Sequence, residues 1–358
     1  MFDEEVSLTT PAELLSEIPV PDFVRERIEG YRREIAYIIH YRDNRWLVIV
    51  GPCSIHDTCA AFEYAKRLKI LSESVRDELF VVMRVYFEKP RSTLGWKGLI
   101  NDPFLDESFD VESGLRKARS LLVDLGTLGV PAGCEFLDPF TPGYLCDLVS
   151  WGAIGARTTE AQTHRELAAA LPFPVGFKNA TSGDINVAIE GSSVASSSHV
   201  SIGVGKNGRI SIIKRPGNPH THVVLRGGKN GPNFDNEIVE EISQKTKNAI
   251  IIDCSHGNSG KSHQNQILVL NHIIQQQIDR NTRSPVQGVM IESFIHQGNQ
   301  NLPKTCKDHQ LKYGVSITDA CVSWEETETM IHLLANALRR SKANDLSDEA
   351  STGDLSIE

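Results

Sequence analysis

The 358-residue chain has no long apolar run and no excess of basic residues. No stretch approaches the roughly 20 apolar residues that a membrane-spanning helix needs. The N-terminal MFDEEVSL is acidic and lacks the hydrophobic segment of a secretory signal. The 37 Lys and Arg against 46 Asp and Glu leave a net charge of -9, whereas binding to nucleic acid or to an anionic membrane needs a basic face. We therefore expect a cytoplasmic protein with neither kind of partner.

The sequence also lacks a cysteine pattern typical of disulfide bonds. The seven cysteines are odd in number and irregularly spaced, and no C-x-x-C occurs. In a chain of this length without a signal peptide, this pattern predicts reduced thiols in a reducing compartment. The ordinary composition, with 40% hydrophobic residues, excludes disordered, collagen-like and repeat proteins.

Short β-branched runs alternate with helical patterns along most of the chain. Continuous apolar runs, rather than alternating ones, are typical of parallel strands buried on both faces. Eight strand-then-helix units in a row favour a closed α/β barrel, the (β/α)8 or TIM barrel, over an open doubly wound sheet. The predicted strands are 46–50, 79–85, 133–137, 153–156, 174–177, 222–225, 249–253 and 289–291.

An N-terminal extension, residues 1–42, precedes the predicted catalytic barrel at 43–341. TPAE at 10–13 forms a capping box with Pro at the first helical position. The apolar residues of a second helix follow 4-3-4-3 spacing and are Val24, Ile28, Tyr31, Ile35 and Ile38. Their face could cap the bottom of the barrel or contact another subunit.

Two further segments fall outside the alternation. Residues from about 194 to 219 contain strand-like runs at 199–204 and 209–214 around a GKNG turn, which predicts a β-hairpin inserted before the sixth strand. Residues 342–358 are polar and acidic, and we expect them to be disordered.

Basic residues occur at the C-terminal ends of the predicted strands, where (β/α)8 barrels carry their active sites. Any one of them could simply face solvent at the rim, but reactive residues follow all eight strands. Phosphate is a natural counter-charge for clustered Arg and Lys. Six donors exceed what one phosphate needs, so we expect two phosphorylated ligands, or a phosphate and a carboxylate. The six are Arg84, Lys89, Arg91, Arg157, Lys178 and Arg226.

Four further residues at the same ends could bind a metal ion. They are Cys53, His256, Glu292 and Asp319. A thiolate, an imidazole and two carboxylates favour one divalent ion of Mn, Fe, Co or Zn over Ca or Mg. Taken singly, Cys53 could be a small buried residue, His256 a turn histidine and Asp319 the start of a helix. Their shared position favours the metal, which with open coordination positions could polarise a carbonyl.

Three other patterns carry less weight. SHGNSGKS at 255–262 resembles a phosphate-binding loop, but Ser255 replaces its first Gly. GVGKNG at 203–208 has the spacing of a dinucleotide-binding loop, yet a strand follows it rather than a helix. His220 and His222 could be a metal pair, although alternate histidines that enter a strand are more often surface residues.

The longer motifs resemble 3-deoxy-D-arabino-heptulosonate 7-phosphate (DAHP) synthases of the type I alpha class over nearly the whole chain. The motifs are GPCSIHD at 51–57, MRVYFEKPRST at 83–93, GWKGLINDP at 95–103, GARTTE at 155–160, GFKN at 176–179, LRGGK at 225–229, CSHGNS at 254–259 and SITDAC at 316–321. The resemblance implies condensation of phosphoenolpyruvate with erythrose 4-phosphate, the first step of the shikimate pathway.

The resemblance also implies roles for individual residues. It assigns the metal to the four residues named above, and Lys89 as the proton donor to the new alkoxide. The base for the attacking water stays open between Glu135 and a metal-linked group. Phosphoenolpyruvate would bind to Arg84, Lys89, Arg157, Lys178 and Arg226. Erythrose 4-phosphate would bind to Lys89, Pro90, Arg91 and Ser92, where Ser92 replaces the family's usual Thr.

Members of this family are inhibited by an aromatic amino acid at a site between the hairpin and the barrel helices. Gly at the position of Gly203 is typical of tyrosine-sensitive relatives, and Ser of phenylalanine-sensitive ones. We expect inhibition by tyrosine, with phenylalanine as the alternative; Gly203 could also only relieve crowding in a strand. The resemblance further implies a homodimer or homotetramer whose N-terminal segment reaches a neighbour.

Two competing interpretations are another metal-dependent phosphosugar barrel, such as a class II aldolase-like lyase, and a non-catalytic amino-acid sensor or assembly module. The KPRS segment beside a Cys ligand disfavours the first. A sensor would not need four metal ligands and six basic groups.

Overall fold

The chain folds into a closed barrel of eight parallel strands, as the sequence predicts. A computed structural model describes residues 6–91, 95–278, 284–302 and 311–352. The barrel strands are β1 (Trp46–Gly51), β2 (Leu79–Arg84), β3 (Ala132–Glu135), β4 (Trp151–Ile154), β5 (Val175–Lys178), β8 (Thr221–Leu225), β9 (Ile250–Asp253) and β10 (Val286–Glu292). Their order around the barrel is β1-β10-β9-β8-β5-β4-β3-β2, so strands consecutive in the chain are neighbours in space.

Every residue of the eight strands is buried, because side chains fill the interior and helices cover the outside. Alternate residues of one strand divide between the two layers: Leu47 and Ile49 belong to the interior cluster, and Val48 and Val50 to the outer one. The helices outside the strands are α3 (Thr58–Ser74), α4 (Val111–Leu128), α5 (Pro142–Leu145), α6 (Gln162–Ala168), α7 (Asn186–Ala195), α8 (Asn236–Ser243), α9 (Gln266–Ile273) and α10 (Trp324–Thr352).

The N-terminal extension covers the lower end of the barrel. Helix α1 (Pro11–Glu17) begins with the predicted capping box at Thr10, and helix α2 (Asp22–Ile39) follows. Ile35 and Ile38 of α2 are fully buried and belong to the cluster that fills the barrel interior. Ala249, just before β9, donates its backbone N–H to the carbonyl of Ile39. The apolar face of α2 therefore caps the barrel of its own chain, which was one of the two predicted roles.

The predicted hairpin forms between α7 and β8. Strands β6 (His199–Val204) and β7 (Ile210–Arg215) pair antiparallel, with Gly203 opposite Ser211. The second strand begins one residue later than predicted, because the turn extends to Arg209: Gly208 has a φ of 76°, and its backbone N–H donates to the carbonyl of Gly205. Ala12 at the start of α1 donates to the carbonyl of Lys206, so the N-terminal extension also contacts the hairpin turn.

The C-terminal helix is longer than predicted. We expected disorder from residue 342, but α10 continues to Thr352. Arg339 forms an ion pair of 2.8 Å with Glu78, and Lys342 Nζ donates to the carbonyl of Asp77 at 3.1 Å. These contacts fasten the helix beside the turn that follows α3. Residues 353–358 lie outside the described part of the chain.

Two expectations from composition concern the described residues. The six cysteines among them are free thiols. No helix in these ranges combines the length and apolar character required to cross a bilayer.

Candidate active site

One cavity of about 500 Å³ opens at the C-terminal ends of the barrel strands. The strands converge there, so residues far apart in sequence share its wall. All six predicted basic residues line it, together with Pro90, Glu135, His256, Glu292 and Asp319. Cys53 lies beneath this wall, in contact with Lys89 and Asp319. The structure thus brings together the predicted site residues, except Ser92, which lies outside the described residues, and Gly203, which lies on the hairpin.

Arg84 forms the deepest charged part of the cavity. Its Nη2 lies 3.0 Å from Glu292 Oε1, and both side chains are 1% exposed. The guanidinium stands 4.0 Å from the centre of the Tyr86 ring. Gly51 at the end of β1 makes this packing possible, since a Cβ there would approach the carbonyl oxygen of Arg84 to 3.0 Å. Arg84 is therefore a fixed, desolvated cation at the end of β2.

Lys178 and Glu135 form a second buried pair, with Lys178 Nζ 3.0 Å from Glu135 Oε2. Burial alone would raise the pKa of Glu135, but the neighbouring Lys178 holds that pKa below its ordinary value. Glu135 is therefore a carboxylate that can accept a proton or a hydrogen bond. Lys178 also lies 5.5 Å from the Tyr86 ring centre, so Tyr86 separates the two buried cations.

Cys53, Glu292 and Asp319 form a possible metal site. Each offers one ligand atom, and these atoms lie within 4.8 Å of one another. His256 is adjacent, because its Nε2 lies 3.6 Å from Glu292 Oε1. Its Nδ1 lies 2.8 Å from Asp253 Oδ2, which resembles the carboxylate partner that orients many metal-binding histidines.

The ammonium group of Lys89 lies against two of these donors. Its Nζ is 2.9 Å from Cys53 Sγ and 2.7 Å from Asp319 Oδ2. Burial and the nearby carboxylates raise the pKa of the Cys53 thiol to about 12. Burial opposes the charge of Asp319, yet Lys89 lowers the pKa of that carboxyl. The donor group therefore already attracts a cation.

Glu88, adjacent to Lys89, is a titratable residue for which we predicted no role. Its carboxylate accepts hydrogen bonds from Asp138 N at 3.1 Å and Thr141 Oγ1 at 3.0 Å, and so joins the loops after β2 and β3. Burial raises its pKa to about 7. Glu88 and Lys89 also line a neighbouring cavity of about 430 Å³, together with Arg91 and Lys97.

The sequence predicted no role for three more residues of the site, Tyr86, Asp253 and Lys261. Tyr86 carries no charge, and its contact with both Arg84 and Lys178 depends on how the strands curve. Asp253 is the last residue of the predicted strand 249–253, but only the fold puts it beside His256. Lys261 belongs to the SHGNSGKS segment at 255–262, which only partly matches a phosphate-binding loop, and it lines the cavity.

Comparison with known proteins agrees with this geometry. The model of the DAHP synthetase I family matches residues 25–332. A tyrosine-inhibited phospho-2-dehydro-3-deoxyheptonate aldolase of Schizosaccharomyces pombe is 50% identical over 346 residues, which cover 94% of this chain and 92% of that protein. The Tyr-sensitive enzyme of Escherichia coli is 48% identical over 334 residues, covering 92% of each protein. The Phe-sensitive enzyme of Escherichia coli is 48% identical over 337 residues, covering 93% of this chain and 95% of that one.

A solved structure of phospho-2-dehydro-3-deoxyheptonate aldolase from Francisella tularensis superimposes with a TM-score of 0.91. It is 46% identical in sequence, and the match covers 95% of this chain and 99% of that one. Fold, family model and near full-length relatives lead to one assignment: this chain belongs to the DAHP synthetase I family.

Proposed function

We propose that the protein condenses phosphoenolpyruvate with erythrose 4-phosphate and water, giving 3-deoxy-D-arabino-heptulosonate 7-phosphate and phosphate. The observation that carries the proposal is the single cavity in which six basic side chains surround a possible Cys/Glu/Asp metal site. Such a cavity suits two phosphorylated molecules held beside an electrophilic centre. The membership of the chain in the DAHP synthetase I family supports the same reaction.

The two substrates would occupy different depths. We assign phosphoenolpyruvate to Arg84, Lys89, Arg157, Lys178 and Arg226. Arg84 and Lys178 are almost completely buried, whereas Arg91 is exposed at the rim. We assign erythrose 4-phosphate to Lys89, Pro90, Arg91 and Ser92, above the first substrate. The buried cations favour the smaller, more highly charged phosphoenolpyruvate in the deeper position.

Cys53, His256, Glu292 and Asp319 would hold one divalent metal ion. The mixed sulfur, nitrogen and oxygen donors suit Mn, Fe, Co or Zn. The contacts of the Lys89 ammonium with Cys53 and Asp319 support the proposal of a cation site at these donors. A bound ion would supply Lewis-acid polarisation of the aldehyde of erythrose 4-phosphate.

The side chains of the cavity would supply the proton transfers. The methylene carbon of phosphoenolpyruvate bonds to the aldehyde carbon, and Lys89 Nζ donates a proton to the resulting alkoxide. Nearby carboxylates and the Cys53 sulfur raise the pKa of Lys89 although burial opposes its charge, so the proton is present on Nζ before the reaction. Water adds at the second carbon and loses one proton, for which Glu135 is our proposed base. The bond between that carbon and the phosphate oxygen then breaks, and the new hydroxyl gives its proton to the departing phosphate and becomes the ketone. Arg and Lys mainly supply position and charge stabilisation.

The test is a turnover assay with phosphoenolpyruvate and erythrose 4-phosphate, after chelation and then with each candidate metal. We expect phosphoenolpyruvate to disappear only when erythrose 4-phosphate and a metal are both present. Fructose 1,6-bisphosphate serves as the control substrate for an aldolase-like lyase. Cleavage of the bisphosphate without consumption of phosphoenolpyruvate would overturn the proposal.

We also propose feedback inhibition by tyrosine, with Gly203 on the hairpin as part of the inhibitor site. Relatives of both the tyrosine- and the phenylalanine-sensitive type share about half of this sequence, so overall identity does not separate them. A Cβ at position 203 would lie 2.9 Å from Ile213 Cγ1, so a serine there must displace a side chain of the opposite strand. Inhibition assays on the wild type and on Gly203→Ser should show tyrosine sensitivity only in the wild type. Inhibition of the wild type by phenylalanine alone contradicts this assignment.

A homodimer or homotetramer would use the hairpin and the N-terminal extension as contacts. One face of the hairpin exposes five aliphatic side chains, and contiguous apolar patches of this kind mark interaction surfaces. They are Val200, Ile202, Val204, Ile210 and Ile212. We further propose a cytoplasmic location, which the free thiols support.

A further inference from the structure

Lys261 is a seventh cation of the active-site cavity, beyond the six basic residues assigned above. It lines the cavity from the loop after β9. Its side chain is exposed, and among the described residues its ammonium group has no hydrogen bond or ion pair. Loops after the last two strands are a common phosphate-binding region of (β/α)8 barrels. The position and the uncompensated charge both suit an anionic ligand.

The backbone around Lys261 is held in a conformation that a lysine rarely adopts. Lys261 has a φ of 65°, and His256 at the start of the same turn has a φ of 54°. The backbone N–H of Lys261 donates to the carbonyl of His256 at 2.7 Å and closes the turn. Left-handed conformations of non-glycine residues persist where the surroundings impose them, often at functional sites. The turn therefore fixes the position of the Lys261 Cα at the rim of the cavity.

The same turn is fastened to the loop that carries Arg226. Gly257 donates its backbone N–H to the carbonyl of Arg226 at 2.9 Å, and Asn258 Nδ2 donates to the carbonyl of Leu225 at 3.1 Å. Strand β9 is the immediate neighbour of β8, whereas β10 and β1 separate it from β2, which leads into Arg91. Lys261 thus lies on the side of the cavity that we assign to phosphoenolpyruvate.

We infer that Lys261 is a substrate-positioning residue that attracts and holds the phosphate of phosphoenolpyruvate from the rim. This inference rests on the proposed function. The ammonium is a mobile point charge on a fixed turn, so it can follow the phosphate into the cavity and complement Arg226. It takes no part in making or breaking bonds, so its contribution belongs to substrate binding and not to the chemical step.

The test compares the metal-loaded wild type with Lys261→Met, Lys261→Gly and Lys261→Arg. Met retains the length of the side chain and the backbone demand, Gly relieves that demand, and Arg retains the charge. Lys229→Met is the matched control, because Lys229 is exposed on the neighbouring loop but does not line the cavity. We expect KM for phosphoenolpyruvate to rise about five- to tenfold in both uncharged variants. KM for erythrose 4-phosphate and kcat should stay within about twofold, and Arg should restore most of the loss.

Calorimetric titration with phosphoenolpyruvate alone should show the same weakening, and added salt should reduce kcat/KM less in Lys261→Met than in the wild type. Unchanged binding in both uncharged variants, an equal effect of Lys229→Met, or a rise confined to KM for erythrose 4-phosphate would each overturn the inference. A wild type that fails to consume phosphoenolpyruvate would instead overturn the proposed function. The two failures are therefore distinguishable.

Discussion

Lys89 has two roles in our proposal, because it binds the substrates and donates a proton. Its ammonium touches both Cys53 and Asp319, and it lines the cavity with the other cations. We expect Lys89→Met to lower kcat by about 100-fold or more, because the proton donor to the alkoxide is lost. Steady-state assays measure the effect, with circular dichroism to verify folding and Lys229→Met as a control. A folded Lys89→Met variant with normal turnover would exclude this role.

Glu88 gives the protein a pH-dependent stability at the residue scale. Burial raises its pKa to about 7 from the ordinary 4.5. A carboxyl whose pKa is raised on folding stabilises the protein below its unfolded-state pKa, and this contribution is lost as pH rises through the folded-state pKa. The wild type should therefore lose on the order of 3 kcal/mol of unfolding free energy between about pH 4.5 and pH 7 from this residue.

Glu88→Gln removes the titration and keeps an acceptor for the same N–H groups. Urea unfolding at about pH 5 and about pH 8 should give a smaller difference between the two pH values in this variant than in the wild type. Glu160→Gln, which changes an exposed carboxylate, should behave like the wild type. Equal pH dependence in Glu88→Gln and the wild type would show that Glu88 does not titrate in this range.

Individual site residues differ in how far the sequence predicts them. Arg84 and Lys178 follow buried strands, so the barrel rule alone brings them to one end. The contact of Tyr86 with both cations and the raised pKa of Glu88 depend on burial and on side-chain geometry. Neither the Tyr86 contacts nor the pKa of Glu88 can be predicted from the spacing of residues in the sequence, because both depend on atoms contributed by other strands.

Helix α2 acts at the scale of the element, as the cap of the lower barrel end. Ile38 is fully buried, and it belongs to the same cluster as the interior residues Leu47 and Trp151. Ile38→Ala should reduce the unfolding free energy by about 2–5 kcal/mol, since it leaves a cavity at a closed end. Tyr37→Ala, at a half-exposed neighbour, is the control. Similar urea midpoints for both variants would argue against the capping role.

Helices and strands are predictable from the sequence where the hydrophobic periodicity is strong. They are less predictable where tertiary contacts determine their position or their end. The 4-3-4-3 spacing predicts the buried face of α2, but not which of two surfaces covers it. Only contacts such as the hydrogen bond from Ala249 N to the Ile39 carbonyl assign that surface to the barrel. Similarly, composition favoured disorder after residue 341, whereas the ion pair of Arg339 with Glu78 fastens α10 to the barrel.

At the scale of the whole molecule, the hairpin face should govern assembly. Ile202 and Ile212 lie opposite each other and are 80% and 76% exposed. The double variant Ile202→Asp/Ile212→Asp should convert the proposed oligomer to smaller species, because charge on this patch cannot be buried without loss. Light scattering coupled to size-exclusion chromatography measures the mass. Ile70→Asp, at an isolated 72% exposed isoleucine on α3, should leave the mass unchanged. Equal masses for the wild type and the double variant would remove the hairpin from the interface.

The capped lower end of the barrel has a kinetic consequence. Ile35 and Ile38 of α2 and the side chains of the barrel interior close that end, so a ligand bound at Arg84 and Lys178 would lie at the closed end of the cavity, below any ligand bound at Arg91. Because both ligands would enter through the same opening of the cavity, the ligand that binds second must dissociate first. A molecule that binds first at the rim would therefore block access to the deeper site. High concentrations of erythrose 4-phosphate should then inhibit the reaction competitively with respect to phosphoenolpyruvate.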